Sequence, residues 1–194
     1  MYSGYRTQRG FTLIEMMVAV TIFSMVLLMG VGSILVIVDA NRKAQSLKSA
    51  MNNLNFTLET ISRNVRVGTN YHCAQNIPNG VAAGNPRDCT GEPELALESQ
   101  YGSPSTVNDQ LIYSWDEGDQ AIYRQTLGPS GPRVRLTAEE VKITAMTFYV
   151  DGAQSSSDGV QPRVLMRIAG YAEVGGIRSD FHMQTGITQR ILDL

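Results

Sequence analysis

Few side chains in this chain could do chemistry, and the one in the most demanding setting is Glu15. Residues 11–38 form a run of twenty-eight, and Glu15 is the only charge in it. A carboxylate in an apolar segment of bilayer-spanning length costs on the order of 2–3 kcal/mol even on insertion scales, so it points to a partner charge. Just before it stands Arg9-Gly10-Phe11-Thr12-Leu13-Ile14, at the end of a short polar stretch that carries Arg6 and Arg9 and no acidic residue.

The other reactive groups are two cysteines. Cys73 and Cys89 enclose fifteen residues rich in Asn, Gly, Pro and Ala. Neither lies in a Cys-x-x-Cys or near a histidine pair at ligand spacing, so a metal site is not expected. A disulfide is the preferred reading, with two buried free thiols as the alternative. It would close a loop worth about 3 kcal/mol and require an oxidising compartment.

Catalytic material is scarce. The two histidines are His72, beside Cys73, and His182 in a terminal strand, which leaves little for a Ser-His-Asp arrangement. Asp116, Glu117 and Asp119 offer oxygen ligands but lack calcium-loop spacing, and they read as a hairpin turn. Glu139-Glu140 reads as a solvated turn, and no glycine loop of phosphate-binding type occurs. No enzyme, cofactor or metal centre is expected. Charge adds an exclusion: residues 39–66 carry five Lys/Arg against two Asp/Glu, and residues 67–194 carry nine against fifteen. An acidic C-terminal part argues against nucleic acid as a partner.

The elements that must position these groups divide the chain in four: a leader at 1–10, an apolar helix at 11–38, the amphipathic continuation of that helix at 39–67, and a β-rich head at 68–194. Twenty-eight helical residues reach roughly 42 Å, against a hydrocarbon core of ~30 Å. No small-x-small cleavage site follows the run, so it is retained or cut on its N-terminal side. Arg6 and Arg9 flank one end and Arg42 and Lys43 the other, so basic residues leave the orientation open; the disulfide puts the C-terminal part outside the cytoplasm. Gly30 and Gly32 read either as small residues for helix packing or as points where the helix loosens on assembly. Ala44, Leu47, Met51, Leu54, Leu58, Ile61 and Val65 then recur at alternating spacings of three and four, a stripe expected to pack on the head's sheet rather than in a coiled coil.

Gly68 ends the helical pattern. Strands are expected at 94–98, 110–115, 121–127, 133–136, 141–150 and 163–171, with a last segment at 181–192 that is strand through Ile187. The fold class is α+β: a long N-terminal helix whose outer half packs on a mostly antiparallel sheet.

Arg9-Gly10-Phe11-Thr12-Leu13-Ile14-Glu15 followed by an apolar helix resembles the N-terminal signal of type IV pilins and of the pseudopilins of type II secretion. A short basic leader ends in Gly, Phe follows, and Glu stands fifth after the glycine. The resemblance implies a pilin-like fold and cleavage after Gly10 by a prepilin peptidase. It further implies N-methylation of Phe11 and an intersubunit charge role for Glu15, which would meet the α-amine of a neighbouring subunit. Implied partners are other pilin or pseudopilin subunits, the inner-membrane assembly platform and the membrane itself, with the head outside the cytoplasm and later in a filament. Residues 141–171 and 181–194 are similar to the minor pseudopilin J or minor pilin W type. Many pilins carry a helix-weakening proline in the apolar half, where this chain has Gly30 and Gly32. The other class of function compatible with the sequence is a permanently membrane-anchored binding or sensor protein.

Overall fold

A computed structural model describes residues 10–75, 77, 86–103, 105–154 and 159–190. Residues 1–9 of the expected leader, most of the interior of the Cys73–Cys89 loop and the end of the last expected segment, 191–194, lie outside the described residues. The chain divides into two compact units after Ala44.

One helix, α1 (Leu13–Val67), is followed by nine strands: β1 (Thr69–Ala74), β2 (Cys89–Glu92), β3 (Glu94–Glu98), β4 (Gln110–Asp116), β5 (Ala121–Gln125), β6 (Arg133–Arg135), β7 (Val141–Asp151), β8 (Arg163–Val174) and β9 (Ile177–Thr188). This is the expected α+β class. The expected single sheet is instead two antiparallel ones, ordered β1-β3-β4-β5-β6 and β2-β7-β8-β9.

The first unit holds the N-terminal part of α1. Every side chain from Phe11 to Arg42 is exposed, including Phe11 at 78% and Met29 at 73%. The helix runs unbroken through Gly30 and Gly32, and a methyl group at either would touch nothing.

In the second unit the helical stripe is buried. Ala50, Leu54, Leu58, Ile61 and Val65 share one core with Leu95, Leu97, Tyr113 and Ile122 of the first sheet and with Phe148, Met166 and Ile168 of the second. Burial of this apolar surface, at roughly 25 cal/mol per Å², is what holds the helix to the strands. The stripe's expected first member, Ala44, is exposed, and Leu47 and Met51 are only partly covered. Ala50 and Thr57 are buried instead. Polar ties fix the register: Asn53 Oδ1 accepts the Ala138 N–H at 2.7 Å, and the Thr57 hydroxyl donates to Leu136 O at 3.0 Å.

The helix ends where the core demands it. The Gly68 N–H donates to Asn64 O at 2.9 Å. A Cβ on Gly68 would lie 2.5 Å from Leu97 Cδ1 and 2.8 Å from Glu98 O, so only glycine lets β3 pass this close. Tyr71, 1% exposed, donates its hydroxyl to Val65 O at 2.7 Å and Gly68 O at 2.8 Å, occupying carbonyls that no helical amide can reach.

The sequence reading omits β1 and β2 and starts β9 four residues late. Gly175 and Gly176, with φ of 58° and 76°, form the two-residue turn between Val174 and Ile177, so β8 and β9 make one long hairpin. In β7 the sequence leaves Ala145 and Met146 as alternative inward residues. A register shift between Ile143 and Ala145 decides it, leaving Ala145 exposed and Met146 buried.

Candidate functional site

The residues singled out in the N-terminal segment fall at the start of α1. Thr12 precedes the first helical residue, and its Oγ1 accepts the Glu15 N–H at 3.4 Å, while its carbonyl accepts the Met16 N–H at 3.2 Å. Thr12-Leu13-Ile14-Glu15 is therefore a capping-box sequence, with the threonine satisfying one of the unpaired amides of the first turn. A carboxylate at this position also lies favourably in the helix dipole. The sequence reading passed over this cap, although its Thr-x-x-Glu pattern was there to be found. Gly10 and Phe11 precede the helix in extended, exposed chain, the state in which a peptide bond is open to a peptidase.

The remaining polar groups of the apolar run answer their own needs. The hydroxyl of Thr21 donates to Met17 O at 2.7 Å, that of Ser24 to Val20 O at 2.8 Å, and that of Ser33 to Met29 O at 3.0 Å. Hydroxyls closed onto the preceding turn can enter hydrocarbon without an unpaired donor. Glu15 cannot be treated this way, because a charge needs a countercharge. Among the described residues α1 is the one helix long and apolar enough to cross a membrane.

In the second unit the two cysteines are joined. Cys73 of β1 and Cys89 of β2 form a disulfide with Cα atoms 6.2 Å apart. Since β1 belongs to one sheet and β2 to the other, the bond staples the two layers. Arg87 reinforces it, donating from Nη2 to Cys73 O at 2.7 Å and from its backbone N–H to Tyr71 O at 2.9 Å.

The acidic turn between β4 and β5 is structural. Asp116 accepts the Asp119 N–H at 3.0 Å and the Arg133 guanidinium at 2.8 Å, and these donors hold its carboxyl below the usual carboxylate range. Asp119 accepts the Tyr123 hydroxyl at 2.6 Å. His72 is buried in β1 and His182 is exposed on β9, so the structure does not bring the histidines together. Among the described residues no three His, Cys, Asp or Glu side chains converge as a metal set.

The segment thus has the attributes of a membrane-resident helix that keeps one charge for use outside its own chain. Residues 5–31 match the prokaryotic N-terminal methylation motif, which is a processing signal and not an enzyme family. No curated protein and no solved structure matches the chain.

Proposed function

We propose that this protein is a structural subunit of a type IV pilus or of a type II secretion pseudopilus. It is made as a precursor, cut after Gly10 by a prepilin peptidase and N-methylated on Phe11. The observation that carries the reading is a coincidence of position: the methylation motif at 5–31 overlies an apolar helix with no protein cover along its length. Lipid supplies that cover before assembly, and the helices of neighbouring subunits supply it afterwards.

Cleavage creates an α-amine on Phe11, and Glu15 of a neighbouring subunit meets it in the filament. Each charge alone would be costly in an apolar bundle; as a pair they neutralise each other, and loss of one leaves the other buried, so subunit register is enforced. Methylation keeps the positive charge. On this reading residues 1–10 are the leader, 11–38 the spanning and filament-core helix, 39–67 its outer half and 68–194 the head. The Cys73–Cys89 bond supports a head on the oxidising side of the inner membrane. The similarity of 141–171 and 181–194 to the minor pseudopilin J or minor pilin W type supports a minor subunit.

Mass spectrometry of the mature N-terminus tests the proposal. A chain beginning at N-methylated Phe11 is expected. A chain that begins at Met1 in cells with an active prepilin peptidase refutes it and favours a permanently anchored binding or sensor protein.

A further inference from the structure

The connection between β3 and β4 buries a pair of acids. Glu98 ends β3 and stands in register with Gln110, the first residue of β4, and both are fully buried. Gln110 Nε2 donates to Glu98 Oε1 at 2.6 Å. The second oxygen of each, Glu98 Oε2 and Gln110 Oε1, is buried without a donor. Asp109 accepts the Ser103 N–H on Oδ2 at 2.7 Å and likewise leaves Oδ1 buried without a donor. It stands close enough to Glu98 to accept a hydrogen bond from the protonated acid.

The surrounding chain closes on these oxygens. A Cβ on Gly102 would lie 2.6 Å from Glu98 Oε2 and 3.3 Å from Ser99 O, so the loop backbone approaches the free carboxylate oxygen as only glycine allows. Among the described residues no basic side chain pairs with Glu98 or Asp109. Two carboxylates this close cannot both ionise without a positive charge between them, and burial makes each uncompensated oxygen costlier still.

We propose that Glu98, Asp109 and Gln110 bind a calcium ion that fixes the 99–109 connection. The donors are all oxygen, which selects a hard cation over zinc or copper. Calcium tolerates irregular coordination completed by loop carbonyls, whereas magnesium demands near-ideal octahedral geometry and retains its waters, a poor match to a closed pocket. Linear spacing hides this site, because Glu98 and Asp109 meet only when β3 and β4 pair. It is separate from the Asp116 turn, whose carboxylates already have donors. The ordered loop would present Tyr101, 92% exposed, on a fixed backbone.

The full-length chain, extracted in detergent and stripped with EGTA, is titrated with CaCl2 by calorimetry and melted with and without 2 mM CaCl2, following Trp115 fluorescence. One calcium per chain and a rise in Tm of about 5 °C or more are expected. E98Q and D109N should each weaken binding at least tenfold and abolish the shift. Absence of both heat and shift in the unsubstituted chain overturns the proposal and means that the acids share a proton instead. Undiminished binding in D109N, whose side chain is only partly buried, also overturns it even if E98Q fails to fold.

Discussion

Replacing Tyr71 by Phe tests how the end of α1 is held to the strands. The Tyr71 hydroxyl divides one proton between Val65 O and Gly68 O, at 2.7 and 2.8 Å, in a site that is 1% exposed. Phe keeps the ring and removes the donor, so the loss is that of a buried acceptor left unsatisfied, about 2 kcal/mol. For a unit of this size that lowers Tm by about 5 °C. Urea denaturation of the detergent-solubilised chain can be followed through Trp115, the single tryptophan, whose Nε1 donates to Ile143 O at 3.0 Å and so links the two sheets. Alkaline pH gives a second readout. Burial raises the Tyr71 phenol above its ordinary value near 10, and burial raises Tyr113 likewise. A phenol whose pKa is raised on folding holds its proton more tightly in the native state. Its contribution to stability is therefore complete below pH 10 and is lost as pH rises above that value, by up to about 1.4 kcal/mol per pH unit for each phenol. Tyr71→Phe should remove one of these two contributions and make the alkaline limb shallower. A variant within about 0.5 kcal/mol of the parent at pH 8, with an unchanged alkaline limb, refutes the account.

Three further outcomes are expected. Glu15→Gln should leave membrane insertion and the head's melting temperature unchanged, because Glu15 is exposed in the single chain. It should cost about 3–5 kcal/mol in assembly, so the protein is missing from sheared filaments, and normal incorporation sinks the pairing role. Gly68→Ala should destabilise by about 2 kcal/mol, since its methyl would meet Leu97 Cδ1 at 2.5 Å and Glu98 O at 2.8 Å; an unaltered denaturation midpoint contradicts the close approach. Cys73→Ser with Cys89→Ser should cost about 3 kcal/mol, and reductant should bring the parent chain to the same stability.

The sequence carried the helix and the central strands in readable form. The stripe from Leu54 to Val65 sits on the core as its periodicity demands, and β3 runs from Glu94 to Glu98 as expected. Alternation in β8 likewise put Val164, Met166 and Ile168 inward. What escaped depends on long-range pairing. β1 and β2 flank a loop of turn-forming composition, and they are strands because β3 and β7 supply their hydrogen-bond partners. Local residues say little about such strands, whose stability comes from neighbours rather than propensity. The division into two sheets was hidden for the same reason, as was the meeting of Glu98 with Gln110. The Gly175-Gly176 turn was legible in composition but was passed over, which cost the first four residues of β9. At the N-terminal segment the motif was fully legible, because its chemistry is local: a glycine, the residue after it and a carboxylate one helical turn on.

That locality bears on how assembly can be controlled. Along the exposed apolar part of α1 the side-chain hydroxyls are closed onto their own helix, and the Glu15 N–H finds the Thr12 hydroxyl. The Glu15 carboxylate has no such internal answer in the precursor, since the complementary amine does not exist while residues 1–10 are attached. Under the proposed processing, cutting at Gly10 removes Arg6 and Arg9 and creates the amine in a single step. The uncut chain is then barred from the filament by an unpaired carboxylate, and the cut chain is admitted by a pair. Control of this kind needs no movement of the head, so the same short motif can serve chains whose heads differ.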